Sequence, residues 1–235
     1  MTRAHKKLWC RVSLLCFACL SACAQDIEFL PQFDANLKLN SVVRVTFEAK
    51  GDREAGEQLQ SQIGPSIQLY VKPLVKLRKI TVFDLDDAKS RFLVLESGYL
   101  YLSAPNTPSD NRLLLATVSH FPLKAGFLIS DRNRGDLDWK GGRFTSRYRN
   151  KLSLERTVSI RSYHLIPYIA SEFYHESQYS KWSTTALYAG CLFPVGRHVQ
   201  FESYYEHENN TGKRPNTQDD EIGLALHLYF VRQKH

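Results

Sequence analysis

Two neighbouring segments of the chain carry charged residues at every second position. They are Arg132, Arg134, Asp136 and Asp138 in the first segment, and Arg143, Arg147, Arg149, Lys151 and Glu155 in the second. Residues two apart lie on the same face of a β-strand, so each set predicts one charged strand face. Guanidinium groups bind carboxylates and phosphates through paired hydrogen bonds, so this face could guide small anions. The same residues could instead pair with one another and fill an interior.

The positions between these charges are largely apolar, which predicts the direction in which the charges point. The apolar positions are Phe127, Ile129 and Leu137 in the first segment, and Phe144, Tyr148, Leu152 and Leu154 in the second. In a membrane-spanning strand the apolar face contacts lipid and the polar face lines the lumen. We therefore expect a charged lumen. Further acids of luminal parity, at Glu172, Glu202 and Glu206, favour mutual ion pairing over an open anion track.

Serine and histidine residues occur near one another at two places, and neither place predicts an enzyme. Ser119 and His120 are adjacent in a strand and point to opposite faces. Ser162 and His164 share a face, but no residue at a matching position would orient the imidazole ring for catalysis. No metal-ligand spacing or phosphate-binding glycine loop is present either. We expect no enzymatic activity, no metal and no cofactor, with a lipid hydrolase as the remote alternative.

The N-terminal residues 1–24 resemble a secretory signal peptide, which leaves 25–235 as one mature domain. A basic start precedes an apolar run at 12–20 that is too short to cross a bilayer. Ala22 and Ala24 suit ordinary signal peptidase, whereas a lipoprotein signal would leave Cys23 lipidated; we favour cleavage after Ala24. Cleavage there lowers the formal net charge from +7 to +3 by removing the four basic residues Arg3, Lys6, Lys7 and Arg11. That balance argues against a nucleic-acid partner.

The mature chain alternates apolar and polar residues with a period of two, and this pattern predicts an all-β fold. The 13 Phe, 12 Tyr and 3 Trp of the full chain, most of which lie in the mature part, argue against a disordered chain. Many of the expected strands exceed the usual length of sandwich strands, so a single antiparallel transmembrane β-barrel is favoured over a soluble barrel or sandwich. The expected strands lie near 27–38, 42–50, 64–78, 91–102, 112–121, 125–138, 143–156, 163–175, 183–193, 198–208 and 221–230.

These segments number eleven, whereas bacterial single-chain barrels have an even number of strands. An extra hairpin at 73–83 would give twelve strands, and withdrawal of the first strand into the lumen would give ten. Twelve is the preferred number.

The last expected strand carries a stripe that we interpret as the assembly signal. It consists of Leu224, Leu226, Leu228 and Phe230, which share one face and end on an aromatic residue. We expect Phe230 to close the barrel against the first strand and to be recognised by the barrel-assembly machinery. Outer-membrane lipids would contact the same face.

Several stretches resemble the bacterial family described as domain of unknown function 2490, whose members are predicted outer-membrane β-barrels. The stretches lie at 130–134, 143–155, 167–168, 172–173, 193–196, 204–206 and 223–230, and the paired Arg-x-Arg strands are the most specific of them. The resemblance implies the fold and a location in the outer membrane of a Gram-negative bacterium. It implies no activity.

The sequence therefore predicts an integral, porin-like outer-membrane barrel. Its activity is expected to be either a narrow channel for small anionic solutes or a closed structural or adhesive barrel that acts through its outer loops.

Overall fold

The computed structural model describes residues 28–52, 59–71, 84–161, 163–212 and 214–232. The predicted signal peptide, Cys23, the predicted hairpin at 73–83 and Ser162 lie outside these residues. Within the described ranges, no helix is both long enough and apolar enough to span a bilayer.

Twelve strands account for most of the described residues, and two short 3-10 helices, Asp87–Ser90 and Lys124–Gly126, lie between them. The strands coincide closely with the alternating segments of the sequence, because the period-two pattern gives each strand one polar and one apolar face. The strands are β1 Glu28–Lys38, β2 Val43–Asp52, β3 Gln60–Val71, β4 Leu93–Ser103, β5 Asp110–Pro122, β6 Phe127–Lys140, β7 Arg143–Arg156, β8 Val158–Ile160, β9 Tyr163–Glu176, β10 Lys181–Val195, β11 Val199–Asn210 and β12 Thr217–Val231.

Eleven of these strands form a closed barrel, which confirms the prediction of a single all-β barrel. Strands β1 to β7 pair antiparallel in order, β7 pairs with β9, and the order continues to β12. The ring closes through a parallel pair between β12 and β1, from Glu28 opposite Glu221 to Lys38 opposite Val231. This parallel closure allows an odd number of strands in the wall. Strand β8 is the twelfth, and it pairs with the start of β9 outside the ring.

The parallel closure also places the two termini of the described chain at opposite ends of the barrel. The end at which β1 begins is called the N-terminal end, and the end at which β12 finishes is called the C-terminal end. Strand β3 ends and β4 begins at the C-terminal end. Residues 84–92, which precede β4, are called the plug below, because their side chains contact luminal residues of the wall.

The barrel has charged side chains on its inner face and large apolar side chains on its outer face, which is the reverse of a soluble domain. On β7, Arg147, Arg149 and Glu155 are buried in the lumen, while Tyr148 and Leu152 are exposed on the outer face. Other exposed apolar residues on the outer face are Phe29, Phe47, Ile67, Leu115, Trp139, Phe144, Ile169, Phe173, Trp182, Leu187, Phe201, Leu224 and Phe230. Apolar packing inside is local, as in the cluster of Leu100, Leu102, Leu114 and Ala116 on β4 and β5.

Two glycines allow tyrosine rings to lie flat against the inner wall. Gly190 is paired with Tyr168 across β10 and β9, and Gly223 is paired with Tyr204 across β12 and β11. A Cβ atom on Gly223 would lie 2.0 Å from Cζ of Tyr204, and one on Gly190 would lie 2.6 Å from Cζ of Tyr168. Side chains larger than hydrogen would therefore force the rings into the lumen.

Candidate functional site

The charged rows of β6 and β7 lie side by side on the inner wall. Arg134 is opposite Arg149, Arg132 is opposite Lys151, and Asp136 is opposite Arg147 in the antiparallel register. Arg134, Asp136, Asp138, Arg147, Arg149 and Glu155 are buried, and Arg132 and Lys151 are half-buried. Arg143, at the start of β7, is exposed at the N-terminal end. The structure therefore brings together all the sequence-predicted charged residues except Arg143.

Glu172 on β9 is the acid around which several of these cations converge. Its Oε1 accepts hydrogen bonds from Arg149 Nε at 2.9 Å and from Arg132 Nη2 at 3.1 Å. Its Oε2 accepts a hydrogen bond from the Tyr188 hydroxyl at 3.1 Å and lies 3.9 Å from Lys151 Nζ. Glu172 is fully buried, so these contacts replace its hydration.

The two aspartates of β6 bind a second group of arginines. Arg112 on β5 donates to both carboxylate oxygens of Asp138, with Nε at 2.6 Å and Nη2 at 3.2 Å. Arg134 Nε donates to Asp136 Oδ1 at 2.6 Å, and Arg147 Nη2 lies 3.6 Å from Asp138 Oδ2. The arginines are thus held largely by neighbouring acids, as the ion-pairing hypothesis predicts.

Tyrosine rings make cation–π contacts with two of the luminal cations. The guanidinium carbon of Arg149 lies 4.4 Å from the ring centre of Tyr174, and Arg149 Nη2 donates to the Tyr174 hydroxyl at 3.0 Å. Lys151 Nζ lies 3.4 Å from the ring centre of Tyr188. Cation–π contacts of this kind are strongest where water is excluded.

A hydrogen-bonded chain at the closing seam was not predicted from the sequence. His227 on β12 contacts Asp34 Oδ2 through Nδ1 at 2.8 Å and Glu202 Oε2 through Nε2 at 3.0 Å. The Tyr168 hydroxyl donates to Glu202 Oε1. His227 and Asp34 are direct partners in the β12–β1 pairing, so their side chains link the two strands that close the ring. Only the parallel register reveals this contact, although both residues lie in polar rows of the sequence.

The plug is fixed to the wall by ion pairs and polar contacts. Arg44 Nη1 on β2 donates to Asp86 Oδ1 at 2.5 Å, and Lys89 Nζ donates to Glu155 Oε2 on β7 at 2.8 Å. Gln200 Nε2 on β11 donates to Asp84 Oδ1 at 2.9 Å. The plug therefore contacts wall strands on several sides of the ring.

The charges around the plug stabilise its ionised groups. Burial alone would raise the pKa of Asp86, but the positive charges of Arg44 and Lys89 outweigh it and lower that pKa to about 2. Burial would lower the pKa of Lys89, but Asp84 and Glu155 outweigh it and raise that pKa above its ordinary value. Both groups are therefore charged at neutral pH.

Described residues of the wall and the plug line a larger and a smaller cavity in the lumen. One of about 360 Å³ extends from Asp86 and Lys89 of the plug to Arg132 and Arg134 in the wall. The other, of about 230 Å³, reaches Arg147 and further residues towards the N-terminal end. Both are lined by Arg132 and Arg134, so these arginines lie where the two cavities approach each other.

Cations and acids are unevenly distributed over the inner wall. The inner faces of β6 and β7 carry four arginines and Lys151, with Asp136, Asp138 and Glu155 among them. The inner faces of β11 and β12 carry the acids Glu202, Glu206, Glu208 and Glu221, which line the smaller cavity.

His120 and His164, the two histidines considered in the sequence, contact different groups in the structure. The His120 Nδ1 atom contacts the backbone oxygen of Arg91 at 2.8 Å. His164 contacts Ser159 on β8, with 3.0 Å between Nδ1 and Oγ, in an exposed part of the β8–β9 hairpin. Among the described residues, no group of three or more potential metal ligands is placed to hold a metal ion.

The predicted assembly stripe lies on β12, at the closing seam. Leu224 and Phe230 are exposed on the outer face, and Leu226 and Leu228 share that face with partial burial. Phe230 is the partner of Leu37 on β1 and stacks on His198, with 6.3 Å between ring centres. Recognition of this stripe by assembly machinery stays a prediction.

No protein-family model matches the chain, and no curated protein matches it either. The fold and the lumen define a closed β-barrel with an ion-paired polar interior and an apolar exterior.

Proposed function

We propose that this protein is an integral β-barrel of the bacterial outer membrane. The observation that carries the proposal is the inverted polarity of the wall, with charged residues inside and large apolar residues outside. On β7, Tyr148 and Leu152 are 41% and 49% exposed. The neighbouring Arg147 and Arg149 are each 8% exposed. A soluble barrel has the opposite arrangement, and lipid is the solvent that suits this one.

Membrane fractionation tests this location. We expect the mature protein to remain in the membrane pellet after carbonate extraction, and to migrate differently on gels before and after boiling. The reason is that its apolar outer face would be stable only in lipid or detergent. Recovery of folded protein from the soluble periplasmic fraction would contradict the proposal.

The contacts in the lumen support a barrel whose lumen is blocked in this conformation. The arginines of β6 and β7 bind Asp136, Asp138 and Glu172, and the plug contacts wall strands at the C-terminal end. We therefore propose a closed barrel as the resting form. Loops at the barrel ends would then carry any structural or adhesive role.

A narrow channel for small anionic solutes is the second candidate, and one observation favours it. Arg132 and Arg134 line both luminal cavities, so an anion that crossed the lumen would pass their guanidinium groups. Conduction through this path requires the plug to move. No enzymatic activity forms part of the proposal.

A double substitution of Arg147 and Arg149 with Glu distinguishes the two candidates. For the closed barrel we expect loss of folding, because Asp138 and Glu172 each lose a cation in a buried site. The measurement is the heat-dependent gel shift, followed by planar-bilayer conductance for any folded protein. A folded double variant that conducts with altered anion selectivity would instead support the channel and contradict the closed barrel.

The stripe at Leu224, Leu226, Leu228 and Phe230 is proposed to direct assembly of this barrel. Its exposed outer face at the closing seam supports that role. The resemblance to the domain of unknown function 2490 family agrees with the same location. We propose the barrel-assembly machinery and outer-membrane lipids as its partners.

A further inference from the structure

Lys151 is a luminal cation whose ammonium group forms no hydrogen bond within the described part of the chain. It lies on β7 and lines both cavities. Its Nζ atom lies 3.4 Å from the ring centre of Tyr188 and 3.9 Å from Glu172 Oε2. The side chain is 24% exposed and Nζ itself is not fully buried, so a molecule in the lumen can reach the ammonium group.

The acids that line the larger cavity are bound by other donors. Each accepts a hydrogen bond from a residue other than Lys151, and they are Asp34, Glu48, Asp86, Glu96, Glu155 and Glu202. The donors of Lys151 are therefore not used by the acids around this cavity.

Arg132 is a second accessible cation at the same place. It is the direct partner of Lys151 in the pairing of β6 with β7, and it also lines both cavities. Arg132 Nη2 donates to Glu172 Oε1 at 3.1 Å, whereas Nη1 forms no hydrogen bond within the described chain and is not fully buried. The side chain of Arg132 is 32% exposed. Both cations thus present donors to the lumen.

Positive charge exceeds negative charge around Glu172. Three cations lie within 3.9 Å of its carboxylate, and they are Arg149, Arg132 and Lys151. Asp136, the next acid on this part of the wall, accepts a hydrogen bond from Arg134. One carboxylate cannot neutralise three cations, and an uncompensated charge inside a cavity raises the local concentration of ions of the opposite sign.

We infer that a small oxyanion binds between Lys151 and Arg132, where the two cavities approach each other. Lys151 supplies a point charge with three donors, and Arg132 supplies the planar Nη1 group. This combination suits an anion with several oxygen atoms better than a halide ion, because each oxygen can accept its own charge-assisted hydrogen bond.

The inference deepens the anion-channel candidate of the proposed function, and it rests on that candidate in taking the lumen as a place that solutes reach. It names the two residues that hold the anion and the chemical class of the anion. Binding is expected in the resting barrel, with the plug in place.

Calorimetry on the barrel folded in detergent, in a buffer without other oxyanions, tests the inference. The probes are the sodium salts of phosphate, sulfate and chloride, compared at equal ionic strength. We expect phosphate and sulfate to bind at least about tenfold more tightly than chloride, which is the effect of one further charge-assisted hydrogen bond. Equal binding of phosphate and chloride, or no oxyanion binding to the folded barrel, would overturn the inference.

Two substitutions that remove the same charge locate the site. We expect Lys151→Gln to weaken phosphate binding at least about tenfold, since the anion loses a charged donor. This variant should fold, because Lys151 makes no hydrogen bond to the described wall. Lys140→Gln is the control, as Lys140 is exposed at the end of β6 and lines neither cavity.

Unchanged phosphate binding in folded Lys151→Gln protein would overturn the inference. An equal loss in Lys140→Gln would also overturn it, because binding would then follow the net charge of the barrel. The probe series on the parent barrel decides the matter if Lys151→Gln does not fold.

The fractionation experiment separates this inference from the proposed function. An integral membrane barrel that binds neither phosphate nor sulfate contradicts the inference alone. A soluble barrel that binds phosphate in preference to chloride contradicts the proposed location and supports the inference.

Discussion

Replacement of Glu172 with alanine is expected to lower the free energy of unfolding by about 3–5 kcal/mol, the loss typical when one partner is removed from a buried ion pair. Glu172 is fully buried and accepts hydrogen bonds from Arg149 and Arg132. Its removal would leave cations in the lumen without their acid. Urea titration of the barrel in lipid vesicles, followed by tryptophan fluorescence and by the gel shift, measures the change.

Glu48→Ala is the matched control for this prediction. Glu48 also lies on the inner wall, is half-buried, and accepts a hydrogen bond from Gln62 Nε2 at 2.7 Å. Loss of a single hydrogen bond of this kind is expected to lower the free energy of unfolding by about 1 kcal/mol. Equal losses in the two variants would show that Glu172 does not have the central role that its contacts indicate.

Most of the strand positions could be predicted from the sequence, because alternation reports directly on the two faces of a strand. The predicted segment 143–156 coincides with β7, and the eleven predicted segments correspond to the eleven strands of the ring. The predicted segment 64–78 continues beyond Val71 into residues that the structure does not describe. Strand β8 is too short for alternation to reveal it.

The closure of the ring could not be predicted in the same way. Alternation shows which side of a strand is polar, but it carries no information about the direction of its neighbour. Because known bacterial barrels have an even number of strands, we expected a wall of twelve strands, or of ten. The structure corrects this number, since the parallel β12–β1 pair closes a ring of eleven. The eleven alternating segments of the sequence equal the number of strands in the ring.

Alternation predicted which way the charged side chains of the candidate site point, but it did not predict their partners. The luminal direction of Arg134, Arg147 and Arg149 follows from their parity along the strands. Their partners follow from register, which places Glu172 of β9 beside Lys151 of β7. The contact of His227 with Asp34 depends on the closing pair, and the contacts of the plug depend on the tertiary placement of residues 84–92, which alternation does not report.

Release of the plug is expected to convert a silent barrel into a conducting one. The double variant Asp86→Asn, Lys89→Met removes the ion pairs Arg44–Asp86 and Lys89–Glu155 and leaves the longer contact of Arg44 with Asp87, at 3.8 Å. Breaking a buried ion pair costs about 3–5 kcal/mol. Two such losses exceed the roughly 5.5 kcal/mol that shifts a two-state equilibrium from 1:99 to 99:1. Single-channel recording in planar bilayers measures the open fraction.

Ser90→Ala is the control for plug release, since Ser90 belongs to the same segment but is exposed and bonds to the backbone of Asp87. We expect this variant to be as silent as the parent barrel. A folded double variant that also remains silent would show that the plug is not what closes the lumen.

Lowering the pH from neutral to about 4 should not release the plug, in contrast to the double substitution. The pKa of Asp86 is lowered to about 2 in the folded barrel, so its ion pair contributes stability above the ordinary carboxyl pKa and loses it only as the pH falls through about 2. The parent barrel is therefore expected to stay closed from neutral pH down to about pH 4, whereas Asp86→Asn lacks this charge at every pH. Conductance that rises in the parent barrel between pH 6 and pH 4 would contradict the assignment of Asp86 as an ionised anchor of the plug.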